Sequence, residues 1–403
     1  MGLATLNQPY EQVDPTQVVA GIRSAIGVDE DHSFQPLHVP HFEGTEWEYV
    51  KDCLDTGWVS SVGSYVERFE SEVAAQSGVA HGVAVVNGTA ALQIALEIVG
   101  VGVGDEVLMP ALTFVATPNA ASYLGAIPHF VDSDPTTLGL DPVKLDLYLH
   151  DVAERSLEGV RNRLTGRRLG AIVPMHTYGH PVDMEPLIAI AARHGIPIVE
   201  DAAESLGSVY KGEKCGSLGR VAAISFNGNK IITTGGGGAI VTDDADLAAR
   251  AKHLTTTAKV THRWAFDHDA VGYNFRLPNL NAALGCAQLE SLPSYIERKR
   301  SLAERYVSAF ESIAGVSAFR ERCFGRANYW LNCLLLDEPS IETRDAVLEA
   351  TNDAGLMTRP TWTLMKDLPM YVGAPSMPLD GARNIEARLI NVPSSVPLGE
   401  NPC

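Results

Sequence analysis

The chain has 403 residues and carries 31 Lys and Arg against 49 Asp and Glu, which gives a formal net charge of −18. So acidic a chain is a poor match for a nucleic-acid groove, which needs positive charge along the phosphate backbone. Its hydrophobic content of 45% can build a large core, no apolar run is long enough to cross a bilayer, and its length predicts two domains.

The N-terminus and the cysteines predict a cytoplasmic protein. The first residues, MGLATLNQPYEQVDP, lack a basic segment followed by an apolar stretch, so we expect no secretory signal. The cysteines are scattered and form no CxxC pair, which is typical of reduced thiols. They are Cys53, Cys215, Cys286, Cys323, Cys333 and Cys403. We expect neither a membrane nor a nucleic-acid partner.

Residues 1–35 are predicted to form an N-terminal extension. Val18, Val19, Ile22 and Ile26 recur at helical spacing, which predicts a short amphipathic helix packed on the body of the protein.

From residue 83 onward, short apolar runs alternate with segments of helical period. The runs include residues 83–86, 107–109, 172–175, 198–199, 222–226 and 239–241, and the helical segments include 90–99 and 184–194. Strands that alternate with helices predict a largely parallel sheet covered on both faces.

Near Leu280 the pattern changes to one long helix that continues past Pro293 toward Phe310. Beyond it we place strands near residues 329–336 and 356–358. The pattern therefore predicts a large α/β domain over residues 36–290 and a small α+β domain over residues 291–403.

Residues 197–239 contain the strongest chemical signal. Asp201 follows one buried strand, and Lys230 lies in a turn after a second strand, just before the glycines at 235–238. A carboxylate that keeps a pyridine nitrogen protonated and a lysine that forms a Schiff base are what pyridoxal phosphate chemistry needs. Taken alone, these residues are more often a solvated lysine and a helix N-cap.

Four motifs carry a family resemblance: EDAAES at 200–205, SFNGNK at 225–230, GGGGAIVTDD at 235–244 and GYNFR at 272–276. From about residue 36 to 395 the chain resembles the DegT/DnrJ/EryC1/StrS sugar aminotransferases. The resemblance implies fold type I, like aspartate aminotransferase, with a large, mostly parallel seven-stranded sheet domain and a smaller α+β domain. The wording FNGNKIITTGGGG and the N-terminal extension are most similar to the LegC branch, which acts on the way to legionaminic acid-type sugars.

The resemblance implies a pyridoxal 5′-phosphate enzyme that works as a homodimer with shared active sites. L-Glutamate would be the amino donor and leave as 2-oxoglutarate. The acceptor would be UDP-2-acetamido-2,6-dideoxy-hexos-4-ulose, a nucleotide-linked 4-keto-6-deoxy sugar, which becomes the 4-amino sugar.

The resemblance also assigns roles to single residues. Lys230 would hold the cofactor, and Asp201 would bond its pyridine nitrogen. Phe114 would stack on the ring, Ser225 would contact the phosphate, and Asn274 would reach the phosphate from the neighbouring subunit.

Two further cofactor contacts are less specific. The amides of Gly88, Thr89 and Ala90 open a helix after a strand and would face the phosphate, although ordinary capping by Asn87 or Thr89 explains the same residues. Glu204 stands where many relatives carry Gln or His beside the cofactor's phenolic oxygen. A carboxylate there could accept a proton or act through water.

Three segments are candidates for substrate contact. The loop GWVSSVG supplies Trp58, Val59, Ser60 and Ser61, the segment MHTYGHP supplies His176 and Tyr178, and a basic cluster supplies Lys259 and Arg263. The basic cluster is equally compatible with a solvated face. His176 and His180 have the spacing of a metal pair, but Gly179 and Pro181 disfavour a helix there and no partner acid is evident, so we expect no metal.

Two other functions stay open. One is a different reaction of the same cofactor, on a GDP- or dTDP-linked sugar, at another carbon, or a dehydration. Relatives that dehydrate can replace the lysine with histidine, whereas this chain keeps Lys230. The other is a non-catalytic regulatory protein of the same fold, which the intact Asp201, Ser225, Lys230 and Asn274 disfavour.

Overall fold

The computed structural model describes residues 13–29, 34–157 and 159–400. The α-helices are α1 (Pro15–Ile26), α2 (Glu46–Thr56), α3 (Ser64–Ser77), α4 (Gly88–Ile98), α5 (Ala116–Tyr123), α6 (Pro142–Val152), α7 (Met184–His194), α8 (Ala245–Thr255), α9 (Asn279–Phe310), α10 (Ile341–Asp353) and α11 (Asp380–Glu386).

The strands are β1 (His81–Val85), β2 (Glu106–Pro110), β3 (Ile127–Val131), β4 (Ala153–Ser156), β5 (Gly159–Asn162), β6 (Leu169–Ile172), β7 (Val199–Asp201), β8 (Val209–Tyr210), β9 (Glu213–Lys214), β10 (Val221–Ser225), β11 (Gly238–Thr242), β12 (Val316–Ala318), β13 (Gly325–Arg326), β14 (Asn332–Leu336), β15 (Arg359–Pro360) and β16 (Leu389–Val392).

A seven-stranded sheet forms the centre of the large domain. Its order is β1-β11-β10-β7 followed by β6-β2-β3, and bridges from Ile172 to Ile198 and from Met175 to Asp201 join the two parts. All pairings are parallel except those of β11, which is antiparallel to both of its neighbours. The predicted fold type I architecture, with a mostly parallel seven-stranded sheet, is confirmed.

The sheet is buried on both faces, which explains its near-continuous apolar strands. β2 and β11 are buried along their whole length, and α4 packs across β10 and β11. In such a sheet the carboxyl ends of parallel strands share one edge, where ligands bind. Asp201 ends β7 and Ser225 ends β10, so both lie at that edge.

Helix α9 connects the large sheet to the C-terminal part of the chain. It runs without interruption through Pro293, and α1, α2 and α3 all pack against it. In the N-terminal extension, Asp14 caps α1 by accepting from the Thr16 amide, and Gly27 ends it with φ 70°. Val18 and Ile22 of α1 are fully buried in a second core that also contains Tyr306 of α9.

An antiparallel sheet of order β12-β14-β16-β15 forms the small domain. The strand expected at residues 356–358 is wrong in position, because β15 begins at Arg359. Leu356 instead bridges Gln35 in parallel, and the Met357 amide donates to the Gln35 carbonyl at 2.8 Å. Across the described residues, none of the helices is long and apolar enough to cross a membrane.

Candidate active site

The turn after β10 presents Lys230 at the carboxyl edge of the sheet. The Lys230 amide donates to the Asn227 carbonyl at 3.0 Å, and the Thr234 amide donates to the Phe226 carbonyl at 3.0 Å, which closes the turn. The chain then returns as β11, where a Cβ on Gly238 would lie 2.5 Å from the Asn87 carbonyl carbon. Only glycine permits that approach.

Two side chains contact the Lys230 amine. Its Nζ donates to Glu204 Oε1 at 3.1 Å and lies 4.0 Å from the centre of the Trp330 ring. The second oxygen of Glu204 accepts from the Tyr178 amide at 2.9 Å, and the Trp330 indole donates to the Asn229 carbonyl at 2.7 Å. The amine is therefore held between an anchored carboxyl group and an anchored aromatic ring.

Asp201 is buried at the end of β7. Its Oδ2 accepts from the Thr117 hydroxyl at 2.6 Å, and its Oδ1 accepts from the Ala203 amide at 3.2 Å. Burial raises the pKa of Asp201, whereas the Thr117 hydroxyl and the Lys230 charge lower it. The residues that follow form turns rather than a helix, so Asp201 does not cap a helix.

Helix α4 begins beside β10 and points its first amides toward the same edge. A Cβ on Gly88 would lie 2.8 Å from Ser225 Cβ, so glycine is required for this contact. The Ala90 amide donates to Asn87 Oδ1 at 2.8 Å. The Ala90 amide, which was expected to face the phosphate, is therefore already bonded. The amides of Gly88 and Thr89 have no partner within the helix and remain as possible phosphate donors.

These elements enclose a cavity of about 270 Å³. Its lining includes the expected residues Gly88, Thr89, Phe114, Asp201, Glu204, Ser225 and Lys230. The cavity is also lined by six residues to which the sequence assigned no role: Leu92, Met175, Asn227, Asn229, Trp330 and Trp362. The fold thus brings the seven expected residues together on one lining, although they come from segments far apart in sequence.

The two tryptophans form an aromatic wall. The Trp362 ring lies 6.3 Å from Phe114 and 4.9 Å from Tyr178, measured between ring centres, and Trp330 lies 6.3 Å from Tyr178. Trp330 and Trp362 are two of the chain's five tryptophans, and no local sequence pattern indicates that these two face the cavity.

His176 and Tyr178 do not line this cavity, and their assignment as substrate contacts stays a prediction. The His176 ring is fully buried between Glu200 Oε2 at 2.9 Å and the Val182 amide at 3.2 Å. The Tyr178 hydroxyl lies 2.8 Å from Thr361 Oγ1 and accepts from Asn391 at 3.3 Å. Both side chains support the fold around the site, because buried polar groups need such partners.

The remaining expected contacts lie outside the cavity of their own chain. Trp58, Val59 and Ser60 are exposed, Ser61 is partly buried, and Trp58 borders a separate cleft of about 430 Å³. Asn279 holds this loop by donating to the Trp58 carbonyl at 2.7 Å.

The basic residues and Asn274 belong to the stretch between α8 and α9. Lys259 lies 4.0 Å from the Phe266 ring centre, and Arg263 lies 5.7 Å from that of Trp264. Asn274 is exposed and accepts from Arg276 at 3.1 Å.

The cavity fits pyridoxal phosphate. Lys230 offers an amine and Asp201 a buried carboxyl group. Gly88 and Thr89 offer amide donors at a helix N-terminus, and Ser225 offers a hydroxyl at the end of β10. The lining therefore contains donors for a phosphate, a carboxyl group for a pyridine nitrogen, and an amine for a covalent link.

One acidic grouping elsewhere could be mistaken for a metal site. Within the described residues, His41, Glu43 and Glu400 lie close enough to share an ion. However, Arg298 bonds Glu43 at 2.8 Å and Glu400 at 2.9 Å, so a guanidinium already bridges both acids.

Known proteins resemble the chain over nearly its full length. A family model described as the DegT/DnrJ/EryC1/StrS aminotransferase family matches residues 40–402. The GDP-perosamine synthase of Caulobacter vibrioides is 37% identical over 362 residues, which cover 90% of this chain and 93% of that protein. The GDP-perosamine synthase of Escherichia coli O157:H7 is 38% identical over 336 residues, which cover 83% and 86%.

Solved structures agree with this similarity. A crystal structure of DesI in the presence of its TDP-sugar product has a TM-score of 0.79 at 30% identity. The match covers 93% of this chain and 91% of that one.

Proposed function

Because this chain belongs to the DegT/DnrJ/EryC1/StrS aminotransferase family and is a pyridoxal-phosphate-dependent sugar aminotransferase, we propose that it aminates a nucleotide-linked 4-keto-6-deoxy sugar. L-Glutamate would give up its amino group and leave as 2-oxoglutarate, while the keto carbon of the sugar becomes an amine. The observation that carries this proposal is the Lys230 amine, held inside the cavity by Glu204 and Trp330.

Pyridoxal phosphate supplies the electron sink that makes the donor's α-proton removable. We assign Lys230 to hold the cofactor and to move that proton at its Nζ. Asp201 would bond the pyridine nitrogen, because it is the buried carboxyl group fixed by Thr117 at the strand end. The amides of Gly88 and Thr89 and the hydroxyl of Ser225 would hold the phosphate, and Phe114 would lie against the ring.

A second copy of the chain would complete the site. Asn274, the loop residues Trp58 to Ser61, and Lys259 and Arg263 all lie outside the cavity of their own chain. Several of their neighbours are exposed apolar side chains, among them Val62, Trp264 and Phe266. We propose a two-fold dimer in which such surfaces are covered and Asn274 reaches the partner's phosphate site.

Two acceptors compete for this site. The LegC-like motif FNGNKIITTGGGG favours the UDP-linked 2-acetamido sugar, and Trp58 beside Ser60 would offer apolar and polar contacts to its methyl and acetamido groups. The similarity to the two GDP-perosamine synthases favours a GDP-linked keto sugar instead. We propose the UDP-linked sugar first and the GDP-linked sugar as the alternative.

Competition between the acceptors tests the assignment. Purified enzyme, glutamate and UDP-, GDP- or dTDP-linked 4-keto sugars are incubated separately, and the mass of an amino product is measured with kcat/KM for each. Lys230→Ala, which lacks the amine, serves as the control and should give no product. One misfitting group costs roughly 1–3 kcal/mol, so related sugars should react more slowly rather than not at all.

The relative kcat/KM values identify the acceptor, and the product identifies the reaction. A tenfold or greater advantage for the UDP-linked acetamido sugar supports the LegC-like assignment, and the same advantage for a GDP-linked sugar replaces it. A folded, cofactor-loaded enzyme that aminates none of the sugars would contradict the proposed reaction and favour the regulatory alternative. Loss of water in place of amination would favour a dehydratase.

A further inference from the structure

The carboxyl group of Glu204 occupies an unusual position for an acid. It is buried, it contacts the Lys230 amine directly, and the Tyr178 amide fixes its second oxygen. Asp201, the other acid on the cavity lining, bonds Thr117 and Ala203 instead. Glu204 is therefore the acid placed to exchange a proton with the amine.

We propose that Glu204 is the proton partner of Lys230: a proton passes between Lys230 Nζ and Glu204 Oε1, so that a neutral amine and a neutral carboxylic acid replace an ammonium and a carboxylate. This inference rests on the proposed role of Lys230. The transfer conserves the proton and the total charge, since one cation and one anion disappear together.

Burial makes the neutral pair accessible. Two charges in a low-dielectric cavity are expensive, and moving one proton between them removes both. Burial raises the pKa of Glu204, and the nearby Asp201 charge raises it as well, whereas the Lys230 charge lowers it. If Lys230 is not cationic, the main influence that keeps Glu204 ionised is gone.

Trp330 acts in the opposite direction. Its ring covers the Lys230 amine at 4.0 Å, and an aromatic face stabilises a cation by roughly 0.5–2 kcal/mol. Glu204 and Trp330 thus both stabilise a positive charge beside them, whereas burial raises the pKa of Glu204 and favours its neutral acid form. Because these effects oppose each other, a small change in the cavity can decide whether the proton lies on Lys230 or on Glu204.

Burial holds three other titratable groups near the pair in their neutral state. Burial holds the pKa of Tyr178 and that of Cys333 well above their usual ranges, so both stay neutral. On the lysine side, burial, followed by the charges of Lys299 and Lys230, holds the pKa of His38 well below its usual range. Among the residues that line the cavity, Asp201 is the second acid near the pair.

The decisive test removes the Lys230 amine and measures whether the Glu204 carboxyl group is protonated. Protein with ¹³C-labelled glutamate is prepared as Lys230→Ala and as Lys230→Ala with Glu204→Gln, and infrared spectra are recorded near neutral pH. A protonated carboxylic acid band is expected in the single variant and should vanish in the double variant. No such band in the folded single variant, or a band that persists in the double variant, would overturn the proposal.

A second measurement uses the intact lysine in the cofactor-free protein. Competitive acetylation of the Lys230 peptide is followed against pH by mass spectrometry. An anion within hydrogen-bond distance typically shifts a titration by about 1–3 pH units, so Glu204→Gln should move the midpoint down by at least about one unit. Glu321→Gln, which removes a half-buried carboxylate bonded to Arg300 at 2.7 Å, should leave it unchanged.

An unchanged midpoint in a folded Glu204→Gln protein would contradict the exchange. Should that variant fail to fold, Glu204→Asp keeps the carboxyl group but moves it away from the amine. The midpoint should then move in the same direction by a smaller amount. A wild-type midpoint in Glu204→Asp would also count against the proposal. Neither measurement needs a sugar substrate. A wrong acceptor assignment is therefore distinguishable from a wrong role for Glu204.

Discussion

The Trp330 ring lies 4.0 Å from the Lys230 amine and is fixed by its own bond to the Asn229 carbonyl. Trp330→Leu removes the ring that positions the Lys230 amine, and the loss of that positioning should lower kcat by about tenfold. Trp330→Phe keeps a ring and should retain most of kcat. Steady-state kinetics with a denaturation curve for each variant separates this effect from unfolding. A folded Leu variant with wild-type kcat would rule out the role of the ring.

Asp201 is expected to set the electronics of the cofactor. Asp201→Asn keeps the size and most of the hydrogen bonding but loses the negative charge, so kcat should fall by roughly 100-fold or more. Thr117→Val, which removes the hydroxyl bonded to Asp201 at 2.6 Å, should cause a smaller loss of the same kind. The measurement is kcat at saturating glutamate. Near-normal turnover in Asp201→Asn would leave Asp201 only a structural role.

Asn274 is expected to act across the dimer. Lys230→Ala protein is mixed with Asn274→Ala protein, and subunit exchange is confirmed by native mass spectrometry. Each heterodimer then contains one site with both residues intact and one with neither, so part of the activity should return. If exchange occurs without any recovery, Asn274 serves its own chain's site or no site.

The stability of the fold should depend on pH through Lys299. This lysine is fully buried, donates to the Ser394 carbonyl at 2.5 Å, and has its pKa lowered by burial from 10.5 to about 7. Between those values the unfolded chain binds more protons than the folded one. The free energy of unfolding should therefore rise with pH in this window, by up to about 1.4 kcal/mol per pH unit from this group.

Lys299→Met should remove that rise. Urea unfolding at pH 7 and pH 9 measures the slope for wild type and variant. Lys366→Met is the matched control, because the Lys366 amine also bonds backbone carbonyls but lies nearer the surface. Equal slopes in wild type and Lys299→Met would show that Lys299 is not the group responsible.

The parts of the site that are local in sequence could be predicted. The strand that ends at Asp201 and the turn that presents Lys230 are each encoded within a few residues, by an apolar run followed by turn residues and glycines. The alternation of strands and helices also predicted the mostly parallel sheet. These features depend on short-range patterns and on the rule that carboxyl ends share one edge.

The parts that depend on long-range contacts could not be predicted. Trp330 bonds a carbonyl 101 positions away, and the Tyr178 hydroxyl finds partners 183 and 213 positions away. Periodicity gives no information about such contacts. The surroundings of His176 are a further example, since only the folded chain shows that Glu200 and the Val182 amide contact its ring nitrogens.

The account depends most directly on Lys230 as the residue that carries the cofactor. Purified, cofactor-loaded enzyme is reduced with borohydride, digested, and analysed by peptide mass spectrometry. The pyridoxyl mass should appear on the peptide that contains Lys230 and should be missing from every peptide of Lys230→Ala. A label on any other lysine, with the Lys230 peptide unmodified, would contradict the account.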